Sequence, residues 1–146
     1  MTLKNTENNV IINIKNLQSD NESTEKTELI TEGKFYKKDD RFYIFYSEEE
    51  SEETSACTVM IVASENDVTM SRKGDFSSKM HYVKGKTEQI TYHTPYGNMS
   101  MVLKTSDIKN RLTDCGGELK LLYMLSVNGE IINNDLTITV KKRKGE

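Results

Sequence analysis

The sequence predicts an all-β chain: an antiparallel up-and-down barrel of eight to ten strands, lipocalin- or calycin-like in shape. Three observations predict it. About ten short runs alternate apolar and polar residues, and turn signals separate them at regular spacing. When neighbouring runs are paired through their turns, almost every pair brings its apolar residues to one face. A period-two pattern that stays consistent from turn to turn specifies a sheet with an inside, closed or nearly so.

The runs are 9–18, 26–38, 41–48, 55–65, 67–74, 77–84, 87–94, 97–105, 118–127 and 130–141. Between the second and third, a two-residue loop at Asp39-Asp40 sets Phe35 opposite Ile44 and Gly33 opposite Tyr46. Gly33 then lies on the inward face, where a strand glycine often marks a corner covered by a cross-strand aromatic. At Asn66-Asp67 the same construction sets Ala63 against Met70 and Ile61 against Arg72. Gly74-Asp75-Phe76 as a three-residue loop brings Met70 to Met80 and Val68 to Tyr82. The turn at Lys84-Gly85-Lys86-Thr87 needs a bulge or an odd-length loop, which pairs Met80 with Tyr92 and Tyr82 with Ile90. Around Tyr96-Gly97, Tyr92 meets Met101 and Ile90 meets Leu103. Ser106 to Asp114 could hold a short helical turn, since Ile108 and Leu112 are four apart. Asn128-Gly129 is the strongest signal, because a type I′ turn needs positive φ at both positions. It pairs Val127 with Glu130, Leu125 with Ile132, Tyr123 with Asn134, Leu121 with Leu136 and Leu119 with Ile138.

Composition narrows the function. The 146 residues suit a single domain spanning 1–146, and a formal net charge of −3 argues for neither nucleic acid nor a membrane surface. No apolar stretch approaches the roughly 20 residues of a membrane span. Residues 1–9 are polar, without a signal-peptide core. Cys57 and Cys115 show no CxxC spacing and read as two unpaired thiols, which places the protein in the cytoplasm. The acidic run Glu48-Glu-Glu-Ser-Glu-Glu53 reads as a solvated loop, and Lys141 to Lys144 as a solvated tail.

Catalytic signatures such as GxSxG, HExxH or a Gly-rich phosphate loop are absent, and nothing calls for a cofactor or a metal. His81 and His93 fall on the outer face, diagonal to each other, with no carboxylate fixed as a third ligand. The inward face collects Arg72, Tyr46, Tyr82, Tyr92, Tyr123 and Asn134 among Val, Ile, Leu and Met. Those six are the candidate ligand-binding residues. An arginine on that face is expensive to bury alone. Three solutions stand open: it reaches water or strand-end carbonyls at the barrel mouth, it pairs with a carboxylate, or it grips an anionic ligand. The tyrosines, and Met70, Met80, Met99 and Met101, also suit plain core packing.

The patterns Met70-x-Arg72-x-Gly74, Met80-x-Tyr82-x-x-Gly85, Tyr92-x-Thr94-Pro95-x-Gly97, Thr105 with Ile108, and Gly117-x-Leu119-x-Leu121-x-Tyr123 resemble the YwiB-like family of bacterial proteins. That resemblance covers nearly the whole chain and implies a calycin-like barrel, related in shape to lipocalins and fatty-acid-binding proteins. It transfers no activity, ligand or catalytic residue. The lipocalin Gly-x-Trp is missing: Gly33-Lys34-Phe35-Tyr36 is the nearest approach, and the chain has no Trp.

Three functions follow, in order. The first is a non-enzymatic barrel that holds a small, partly apolar, anionic or neutral ligand inside. The second is a packed module that works through outer-face residues Tyr43, Phe45, Met60, Val62, Leu122 and Met124, for instance as a homodimer. The third is an enzyme using Arg72 and inward tyrosines, which lacks an identifiable general base.

Overall fold

Ten antiparallel strands form one sheet in the computed structural model, which describes residues 9–48 and 57–143. They are β1 (Asn9–Ser19), β2 (Thr24–Lys38), β3 (Arg41–Glu48), β4 (Cys57–Ala63), β5 (Asp67–Lys73), β6 (Ser78–Val83), β7 (Thr87–Thr94), β8 (Gly97–Thr113), β9 (Gly116–Val127) and β10 (Glu130–Lys142). Their order, β6-β5-β4-β3-β2-β1-β10-β9-β8-β7, curls the sheet until β6 and β7 face each other as its two edges. The result is a nearly closed barrel. All but Glu48 of the acidic run and the last residue of the basic tail lie outside the described residues, as do 55 and 56 at the start of the expected fourth run.

Turn chemistry sets the registers. Asp39 and Asp40 both take positive φ, as do Asn128 and Gly129, so both hairpins form the tight turn that the sequence anticipates. Phe35 accordingly faces Ile44, and Tyr123 faces Asn134. Two other hairpins slip by two residues from the expected pairing. At the first, the Ser64 amide donates to the Asp67 carbonyl at 2.9 Å and the Asp67 amide reaches back to Ser64 Oγ at 3.3 Å. Glu65-Asn66 is therefore the loop, and Ile61 faces Met70 while Val59 faces Arg72. At the second, Pro95 and Tyr96 form the loop, where proline pre-sets the first turn position and Thr94 Oγ1 accepts from the Tyr96 amide at 3.1 Å. A slip of two leaves every side chain on its own face.

The segment 106–113 is not helical. β8 runs through it with a bulge between Thr105 and Asp107, after which Ile108 and Leu112 face Leu121 and Gly117. Two residues four apart share a face in a strand as well as in a helix, so their spacing alone could not decide.

The expected β6–β7 ladder is also replaced. These strands meet only at Ser77 and His93, which exchange amide–carbonyl bonds of 2.9 and 2.8 Å, and below that bridge they splay into a seam. Gly85 and Lys86 turn instead to Thr105: its carbonyl accepts from the Gly85 amide at 2.8 Å, and its amide donates to Lys86 at 3.1 Å.

The barrel's two ends differ. At the lower end Phe35 stacks on Phe42 with centroids 5.8 Å apart, and the Asn110 amide donates to the Ser64 carbonyl at 2.8 Å. Ile12, Ile44, Ile61, Val68, Leu119 and Ile138 fill the middle and are fully buried. The upper end, where β3, β5 and β7 finish near Glu48, Arg72 and Tyr92, is open.

Candidate functional site

The inward parity of β3, β5 and β7 delivers Tyr46 and Glu48, Arg72, and Tyr92 to the upper end. Arg72 lies across from Val59, Val59 across from Tyr46, and Glu48 across from Cys57, so Arg72 and Glu48 reach toward each other over β4. Arg72 Nη1 donates to Glu48 Oε1. The Arg72 side chain is 31% exposed and that of Glu48 17%, so the pair sits at the water boundary. Burial alone would lower the Arg72 pKa, but the charge of Glu48, with Tyr46 beside it, outweighs burial and holds it above the ordinary arginine range. Of the three solutions open to a buried arginine, the structure combines two: the carboxylate partner, and a place at the barrel mouth where its head reaches water.

An open mouth of about 560 Å³ surrounds this pair. Its walls are Met80, Met99, Met101, Leu29 and Leu125, with the hydroxyl-bearing Ser78 and Tyr92. Unbranched methionines make such a wall adaptable to ligand shape. A larger cleft of about 690 Å³ lies over the β6–β7 seam on the outside, lined by outward-facing residues such as Thr69, Ser71, Lys79, Gln89 and Thr91. Arg72 and Ser78 line both. The mouth is the better candidate, because large apolar side chains of the barrel interior wall it and the Arg72–Glu48 pair converges on it.

Of the six candidate residues, Arg72 and Tyr92 line the mouth, while Tyr46, Tyr82, Tyr123 and Asn134 are buried. Tyr82 is 0% exposed and meets Tyr123 edge-on at 4.8 Å, and its hydroxyl donates to Met80 Sδ at 3.1 Å. Burial pushes the phenol of Tyr82 well above its usual range, reinforced by Tyr123. Burial likewise raises Tyr46 and Tyr123, against the opposing positive charge of Arg72. The Asn134 carboxamide oxygen accepts from Gln18 Nε2 at 2.9 Å and Asn16 Nδ2 at 3.2 Å, and its nitrogen donates to the Ile132 carbonyl at 3.3 Å. These four residues belong to the packed interior and do not line the mouth.

Glu48 is the residue that sequence reasoning missed. Its parity matches that of Tyr46, which already placed it inside, but its membership of an acidic run suggested solvent. His81 also differs from expectation. Two carboxylates do sit beside it: Asp67 Oδ2 at 3.0 Å from Nε2 and Glu88 Oε2 at 3.2 Å from Nδ1. They occupy opposite ring nitrogens, while His93 Nδ1 contacts Asn98 Oδ1 at 2.9 Å. Among the described residues no cluster could hold a metal ion. Bonds from Ser64 and His81 lower the Asp67 pKa.

Comparison with known proteins agrees with this architecture. Residues 12–138 match the model of the family described as "Domain of unknown function (DUF1934)". The chain belongs to that family. It is 24% identical over 131 residues to the "Uncharacterized beta-barrel protein YwiB" of Bacillus subtilis (strain 168), covering 89% of this chain and 91% of that one. The crystal structure of ywiB protein from Bacillus subtilis superimposes with a TM-score of 0.86 at 22% identity, covering 95% of this chain and 94% of the other. That likeness shows the barrel, and the YwiB-like resemblance read from the motifs stands. Among the described residues no helix is long and apolar enough to cross a membrane.

Proposed function

We propose that this protein is a non-enzymatic, calycin-like barrel that binds a small, partly apolar ligand through its open upper end. One observation carries the reading: an open mouth of about 560 Å³ joins methionine and leucine walls to a half-buried Arg72–Glu48 pair. Lipocalin-like barrels of this size have room for one small ligand. An anionic head would meet Arg72 in competition with Glu48. The thiols of Cys57 and Cys115 sit at opposite ends of the barrel, across from Glu48 and beside the Gly116–Lys141 pair respectively, and both are free. Two separated thiols suit a reducing cytoplasm.

Native mass spectrometry of the purified protein tests the proposal. The expected spectrum is a chain carrying a small-molecule adduct, which Met99→Trp loses by filling the mouth from its rim. A bare chain in both forms overturns it.

A second reading rests on the outer face of β2, β3 and β4. Tyr36 stacks on Tyr43 at 4.9 Å and on Phe45 at 6.0 Å, beside Met60 and Val62. Leu122 and Met124 lie apart on β9, separated from β3 by β2, β1 and β10. A homodimer through the aromatic patch would appear in the same spectrum as a doubled mass without an adduct.

A further inference from the structure

The ion pair at the mouth specifies the charge of the ligand. We propose that the head group it selects is a zwitterion, with an ammonium and a carboxylate a few ångströms apart on an apolar body, as in an α-amino acid with a long apolar side chain. This rests on the reading of the mouth as a binding site.

Among the described residues, Arg72 and Glu48 are the only charged ones lining the mouth, and they are in contact. A net anion bonded to Arg72 therefore lies only a few ångströms farther from the Glu48 carboxylate. Its attraction to the guanidinium is partly offset by repulsion from the carboxylate, since each falls off as the inverse of distance. The same offset weakens the hold on a net cation. A head group carrying both charges gains twice when it lies antiparallel to the pair, with its carboxylate on Arg72 and its ammonium on Glu48.

The hydrogen-bonding capacity is present. Of the five N–H groups of a guanidinium, one bond runs from Nη1 to Glu48 Oε1, and among the described residues Oε2 of Glu48 accepts no other. Among the described residues, both faces remain for a ligand without breaking the pair. Because Arg72 and Glu48 touch, the two complementary points lie within a few ångströms of each other, within reach of both charges of one amino acid. The hydroxyls of Ser78 and Tyr92 stand in the same wall, and Met80, Met99, Met101 and Leu125 receive the apolar body.

The test is isothermal titration calorimetry at neutral pH with four probes that share one apolar tail: 2-aminooctanoic acid, octanoate, octylamine and octanol. The zwitterion is expected to bind at least tenfold tighter than either single-charge probe. Glu48→Gln should shift preference to octanoate, and Arg72→Gln should shift it to octylamine. Octanoate or octylamine binding wild-type protein as well as the zwitterion does overturns the head-group assignment and leaves the mouth as a binding site. Failure of all four to bind overturns both.

Discussion

Three of the seven tyrosines should refuse to ionise until the barrel unfolds. Tyr46, Tyr82 and Tyr123 are buried on the inward face, and burial raises each phenol above its ordinary value. A raised pKa contributes stability that is complete below the unfolded value near 10 and is lost as pH climbs toward the folded one. Each buried phenol costs about 1.4 kcal/mol of stability per pH unit above 10. Three together cost about 4 kcal/mol per unit, against a total of roughly 5–15 kcal/mol for a domain of this kind. Unfolding is therefore expected to set in above about pH 11. The assay is phenolate absorbance followed beside far-ultraviolet circular dichroism. About three-sevenths of the amplitude should appear only with loss of the β-sheet signal, and Tyr82→Phe should lower that withheld share to two of six. All seven tyrosines ionising in one step near pH 10, with the sheet signal intact, would refute the inward placement.

Two further outcomes follow from the same geometry. Gly33→Ala should destabilise the fold by about 1–3 kcal/mol in urea unfolding, because a methyl group there runs into the Phe45 carbonyl and Ile12. An unchanged midpoint would contradict the close approach. In hydrogen exchange, the amides of Lys79, His81, Gln89 and Thr91 point across the seam by alternation from the Ser77–His93 bridge, and should exchange roughly tenfold or more faster than those of Met80, Tyr82, Ile90 and Tyr92. Equal protection would mean that β6 and β7 are paired.

Legibility in the sequence followed local chemistry. Asp39-Asp40 and Asn128-Gly129 fixed their registers because positive φ at two consecutive residues admits few alternatives. The turns after Ala63 and Thr94 slipped because a shift of two preserves every inward residue, so parity cannot detect it. Ser64 and Pro95 hold the information that decides them, through side-chain capping and a preset φ. The seam was illegible, since no turn signal reveals where a ladder fails to form. All six candidate residues do take the inward parity, yet parity says nothing of height along the barrel. Height separates the buried Tyr82, Tyr123 and Asn134 from the mouth-lining Arg72 and Tyr92, while Tyr46, level with Arg72 across β4, is buried all the same. Glu48 was within reach of the same rule two residues beyond Tyr46. Composition outvoted periodicity there, wrongly.

The most direct measurement is methyl NMR of the protein labelled at its methionines, titrated with 2-aminooctanoic acid. Saturable shifts at Met80, Met99 and Met101 around the mouth, with Met60 and Met124 on the outer face unmoved, are the predicted result. Shifts confined to Met60 and Met124 would contradict it and move the binding surface outside the barrel.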